Sequence, residues 1–167
     1  LAVPNFSDGR RSDVIEKIVD EVRKVEGVKL VSYEPEHDFN RTVVTFIGQP
    51  QPVKDALVNM AAKSIELIDM REHKGSHPRI GAQDTLPIFP FKDITIEECT
   101  QLAKEIGEEL HEKTKIPVFF AGEAARNEDR KAFAYIRAGQ YEGLRDLLKE
   151  SKDNEERVEE YENRKPD

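Results

Sequence analysis

The sequence predicts an α+β domain in which a mixed β-sheet carries helices on one face. Three observations predict it. Apolar residues recur at spacings of three and four in several separate blocks, as on amphipathic helices. Runs rich in β-branched and aromatic residues lie between those blocks. The order is strand, helix, strand, strand, helix, strand, followed by a further helix and strand. The first six elements make a split βαβ unit, the ferredoxin-like pattern, and the last two extend it.

Leu1 to Asn5 is a short buried strand, stopped by Pro4-Asn5 and the turn residues Ser7-Asp8-Gly9. Ser12 is a good N-cap for a helix that puts Ile15, Ile18, Val19 and Val22 on one side and ends near Gly27. Val28 to Tyr33 and Thr42 to Gly48 read as strands, joined by the polar segment Glu34 to Arg41. Pro50 and Pro52 open a second helix with Val53, Ala56, Leu57, Met60, Ala61, Ile65 and Ile68 in one stripe. Residues 71–84 have neither period and read as a loop. The prolines of Thr85 to Phe91 suit an edge strand or an extended segment. Thr95 and Glu98 form a capping box for a third helix, with Cys99, Leu102, Ala103, Ile106 and Leu110 on its apolar side. Ile116 to Ala121 reads as another strand, and two helical stretches follow over 123–137 and 140–151. Residues 152–167 are almost entirely charged, a solvated helix or a tail.

The chain of 167 residues fits one domain, with 37% hydrophobic and 36% charged residues. Lys and Arg number 26 against 34 Asp and Glu, a net charge of −8, which argues against nucleic acid or an anionic membrane as a partner. No apolar run approaches the roughly 20 residues of a membrane span, and the start has no signal pattern, so a cytoplasmic protein is expected. The single cysteine, Cys99, excludes an intrachain disulfide and reads as a core residue.

The chemistry concentrates in the loop from His73 to Asp84. It holds two of the four histidines, with Lys74, Arg79 and Asp84. Gly75, Gly81 and Pro78 give it shape. Such a loop can supply a proton shuttle near neutral pH and cations for a substrate's carboxylates. A solvated loop whose charges pair among themselves is the alternative. A metal site on His73 and His77 is a third, but Gly75 and Pro78 oppose the helix that would place both on one face, and no metal is expected. His37, between two strands beside Glu36, Asp38 and Arg41, reads as part of a solvated turn.

Several stretches together resemble the N-terminal subdomain of the glutamate formiminotransferase family. They are Val3 to Gly9, Asn40 to Val43, Ile68 to Met70, His73 to Gly75, His77 to Ala82, Asp84, and Gly122 to Arg126, in order over most of residues 1–145. The resemblance implies one subdomain over 1–151. It also implies transfer of the formimino group of N-formimino-L-glutamate to N5 of tetrahydrofolate as co-substrate. The histidine before Pro-Arg, His77, would be the general base and then acid. Lys74, Arg79 and Arg41 are candidates for holding carboxylates of glutamate or folate, and Asp84 and Asn5 for orienting His77 or contacting the pterin. In the segment Glu34 to Asp38, either Glu34 or Asp38 could fill the acidic role found in the family. The family's folate site lies between two such subdomains, so a homodimer or a complementary second subdomain is expected. The alternative is a non-catalytic folate-binding or partner-binding module.

Overall fold

A computed structural model of the chain describes residues 1–150 and 166–167; apart from its last two residues, the expected charged tail over 152–167 lies outside the described residues. The elements run β1 (Asn5–Phe6), α1 (Ser12–Arg23), β2 (Val28–Glu36), β3 (Arg41–Gly48), α2 (Pro50–Leu67), β4 (Gln83–Thr85) and α3 (Ile96–Thr114). A 3₁₀ turn at Gly122–Ala124 and helices α4 (Glu128–Lys131), α5 (Phe133–Arg137) and α6 (Gln140–Glu150) follow. The strands form one sheet in the order β2-β3-β1-β4, with every described pair antiparallel.

The alternation along β3 explains which face is covered. Thr42, Val44 and Phe46 are buried, and the residues between them are only partly so. Val44, Phe46 and Phe6 meet Ile15, Ile18, Val19 and Val22 of α1 and Val53, Ala56, Leu57 and Met60 of α2 in one core. Each fully buried side chain of this size contributes roughly 1.5–3 kcal/mol. The helix α3 then packs on α2. Its start is the expected capping box: Thr95 Oγ1 accepts from Glu98 N at 3.1 Å, and Glu98 Oε2 accepts from Thr95 N at 2.7 Å. Cys99 is buried, and burial pushes its thiol pKa up, as expected of a core thiol.

Three expectations are corrected. The sheet is antiparallel and not mixed. Ile116 to Ala121 joins no strand; it lies against α3, where a Cβ on Gly107 would come within 2.7 Å of the Phe120 ring. Residue type shows that a segment can be a strand, but a free sheet edge must also be within reach, and here α3 takes the segment instead. At the start of α1, Ser12 is already helical, and the turn is capped by Asp8, whose Oδ1 accepts from the backbone N–H of Arg10 and Arg11 at 3.0 and 3.1 Å.

Antiparallel pairing decides what meets at each end of the sheet. Phe6 pairs with Thr42 on one side and Gln83 on the other. The β1–α1 turn, the β2–β3 turn and the loop entering β4 are thereby brought to one end. A large cleft lined by Ile47, Phe89, Phe91, Cys99 and Leu102 lies at the other end. No helix among the described residues is long and apolar enough to cross a membrane.

Candidate active site

Two loops are stitched together at the converging end. Asn40 adopts a left-handed backbone (φ 51°) that closes the β2–β3 turn. Its side chain then bridges both neighbours: Oδ1 accepts from Gly9 N at 2.9 Å, and Nδ2 donates to the Lys74 carbonyl at 2.9 Å. The Asp38 carbonyl accepts from Ser76 N at 3.1 Å and from its hydroxyl at 3.2 Å. Gly75 permits this approach, since a Cβ there would stand 2.3 Å from the Phe39 carbonyl oxygen. On the other side, Ser7 donates from its backbone N to Ala82 O and from its hydroxyl to Gly81 O, both at 2.8 Å.

This frame presents His77. Its ring lies 6.0 Å from that of Phe39, tilted by 48°, and the Arg41 guanidinium sits 5.3 Å from the other ring's centroid. The imidazole is partly buried, and neither ring nitrogen is committed to a hydrogen bond with another described residue. Burial, then the charges of Arg41 and Arg137, hold its pKa down at about 4. The folded protein therefore keeps His77 neutral where an unfolded chain has begun to protonate it. This contributes stability at higher pH that is lost as pH falls from about 6.5 toward 4. A proton NMR titration is expected to place the His77 midpoint near 4; a midpoint at or above the ordinary histidine value would overturn the assigned environment.

The other expected site residues fall into two groups. Asp84 is buried, and burial raises its pKa against the opposing pull of its partners. Its Oδ1 accepts from Ile80 N at 2.8 Å and its Oδ2 from Arg137 Nη2 at 2.7 Å, so it holds the loop backbone and an arginine, with no hydrogen bond to His77. Asn5 donates from Nδ2 to Thr85 Oγ1, and its Oδ1 is buried without a described partner. Besides its place over the Phe39 ring, the one side-chain hydrogen bond of Arg41 among the described residues goes to Glu36, at 3.4 Å. Lys74 is exposed and contributes its carbonyl to the frame. His37 is solvated beside Asp38, and the backbone of Glu34 to Glu36 belongs to β2.

Arg79 is placed differently from its expected carboxylate-binding role. Its Nε donates to His73 Nδ1 at 3.1 Å, Nη1 to Gln140 Oε1 at 3.0 Å and Glu142 Oε2 at 2.8 Å, and Nη2 to Glu142 Oε1 at 2.7 Å and the His73 carbonyl at 3.4 Å. All five N–H groups are used. His73 Nε2 lies 3.0 Å from the Asn40 carbonyl oxygen, so with Nδ1 accepting from Arg79 neither ring nitrogen is left for a metal. Among the described residues no group of three or more His, Cys, Asp or Glu side chains gathers as a metal site. Phe39, Arg137 and Glu142 were not singled out by sequence reasoning. Phe39 alone carried a signal, as an aromatic residue in an otherwise polar turn.

Fold and site together define a domain that displays a neutral imidazole, flanked by two guanidinium groups, at one end of an antiparallel sheet. Comparison with known proteins places it. The family profile described as "Formiminotransferase domain, N-terminal subdomain" matches residues 1–165, and the chain belongs to this family. It is 41% identical over 150 residues to formimidoyltransferase-cyclodeaminase of Dictyostelium discoideum, covering 90% of this chain and 28% of that protein. It is 40% identical over 152 residues to glutamate formimidoyltransferase of Thermoplasma acidophilum and 36% over 148 residues to that of Streptococcus pyogenes serotype M1. These alignments cover 90% and 89% of the chain and 50% of each relative, so it spans half or less of these relatives' lengths.

Proposed function

We propose that this domain takes part in transferring the formimino group of N-formimino-L-glutamate to N5 of tetrahydrofolate. The observation that carries the reading is His77: a neutral imidazole with neither nitrogen engaged by a described residue, beside two cations suited to anionic substrates. Family membership and relatives named glutamate formimidoyltransferase support it.

The chemistry needs one proton moved. As N5 forms its bond to the formimino carbon it must lose a proton, and as the bond from that carbon to the glutamate nitrogen breaks, this nitrogen must gain one. His77 takes the first and delivers the second. Arg41 is a carboxylate-binding residue, while Asn5, Lys74 and Asp84 keep the secondary roles of contacting substrate or holding the loop. Fixing two anionic molecules against one imidazole supplies much of the remaining acceleration.

For the fold, the strand order β2-β3-β1-β4 on a split βαβ path supports the ferredoxin-like class. The sheet face opposite the helices, with Asn5, Val43 and Thr45, takes a second subdomain or a second copy of this chain to complete the folate site. A cytoplasmic enzyme of histidine breakdown goes with this reading.

Incubation with formiminoglutamate and tetrahydrofolate is expected to yield free glutamate and the N5-formimino product. Folate binding without turnover, whatever partner is supplied, would instead identify a non-catalytic binding module.

A further inference from the structure

Three arginines surround the His77 loop, and their N–H groups are used very differently. A guanidinium has five. Those of Arg79 are all bound within the protein, and its side chain is 8% exposed. Arg137 gives one, from Nη2 to Asp84, and its Nε is buried without a described partner. Arg41 gives one weakly to Glu36 and also has a buried Nε without a described partner. Both side chains keep about a fifth of their surface exposed (22% and 21%).

Arg137 is held without being saturated. Asp84, whose side chain is 1% exposed, fixes one end of the guanidinium, and the Phe133 ring lies 4.4 Å beneath it. A planar fork fixed on one edge and one face presents its other N–H groups in a set direction. It loses little further freedom when an oxyanion arrives. The charges of Arg137 and Arg41 both act on Asp84 and on His77, so the two guanidinium groups serve the same end of the sheet, Arg137 fastened to Asp84 at 2.7 Å and Arg41 more loosely to Glu36 at 3.4 Å.

We propose that Arg137, assisted by Arg41, binds the α-carboxylate of the formimino donor. The proposal rests on the formimino-transfer reading and assigns the position that Arg79 cannot fill. Donor chemistry selects the carboxylate. The α-carboxylate is carried by the same carbon as the reacting nitrogen, so a cation beside the proton-transferring imidazole meets it before the γ-carboxylate or the distant tail of a folate.

The test compares N-formimino-L-glutamate with its α-carboxamide, which keeps the γ-carboxylate, by calorimetric titration of the full chain. Wild type is expected to bind the parent about 10–100-fold more tightly, the range for losing one charge-assisted hydrogen bond. Arg137→Met should weaken the parent by that factor and leave the α-carboxamide unchanged, with Arg137→Lys intermediate. Equal binding of the two donors by wild type overturns the proposal without needing a folded variant. So does an equal loss of both donors in Arg137→Met, or failure of wild type to bind the parent. A preference for the α-carboxylate that depends on Arg137, with no turnover in any assay, would overturn formimino transfer and leave the carboxylate site standing.

Discussion

Replacing His77 with alanine is expected to lower kcat for formimino transfer by about 10²–10⁴-fold, the usual contribution of a positioned general acid–base group. Binding of donor and folate should change far less, because the anchoring charges belong to other side chains. Nothing in the frame leans on the imidazole through a hydrogen bond, so the variant should stay folded, with a Tm lowered only by the loss of the ring's contact with Phe39. The geometry explains why this histidine and not its neighbour. His73 lies four residues earlier and has the same ring, but Arg79 and the Asn40 carbonyl occupy its two nitrogens. Steady-state kinetics on His77→Ala and His73→Ala separate the two: an undiminished kcat in His77→Ala removes it from its role.

Glu142→Ala is expected to destabilise the loop strongly. It leaves the Arg79 guanidinium, 8% exposed, without its carboxylate. Breaking a fully buried pair costs about 3–5 kcal/mol and an exposed one about 1 kcal/mol or less; with Glu142 52% exposed and Arg79 still bonded to Gln140 and His73, the cost lies between, with about 3 kcal/mol as its upper end. At about 2–4 °C per kcal/mol for a domain of this size, this corresponds to a fall in Tm of several degrees, with about 12 °C as its limit. The hydrogen bonds from Arg79 hold the Glu142 pKa down at about 2. Its contribution is therefore present above the ordinary glutamate value and fades as pH falls toward 2, so the gap between wild type and variant should narrow over that window. A Tm equal to that of wild type at neutral pH would show that Arg79 does not fasten the loop to α6. Replacing Arg79 and Glu142 together with methionine should recover much of the loss, since neither charge is then left behind.

These two residues mark the limit of what the chain reveals before it folds. The loop from His73 to Asp84 stood out by composition, and the resemblance carried by His77-Pro78-Arg79 selected the imidazole. Arg79 was read as a binding residue because a cation in a shaped loop next to a catalytic histidine has the right chemistry. Its real partners, Gln140 and Glu142, are 61 and 63 residues away, and no local pattern announces a contact over that distance. Arg137 was missed for the converse reason. It sits at the end of the short helix α5 in a stretch with no motif, and only the Asp84 carboxylate, 53 residues earlier, gives its position meaning.

The same division holds for the fold. Helices α1, α2 and α3 and strands β2 and β3 were legible because each writes its own period: one face must be apolar every 3.6 residues or every two, and that requirement is local. The capping box at Thr95 and Glu98 was equally local. The segment from Ile116 to Ala121 had the residue types of a strand and became an extended run against α3, because pairing depends on an open edge elsewhere in the molecule. The antiparallel order β2-β3-β1-β4 likewise came from how the strands assemble. By itself, then, the sequence determined helices α1 to α3, strands β2 and β3, their apolar faces and the one loop rich enough in charge and imidazole to do chemistry. The tertiary structure decided which charges in that loop are already neutralised and which still face outward. Hydrogen-bond donors are finite in number, and only contacts between distant parts of the chain determine how many remain for a substrate.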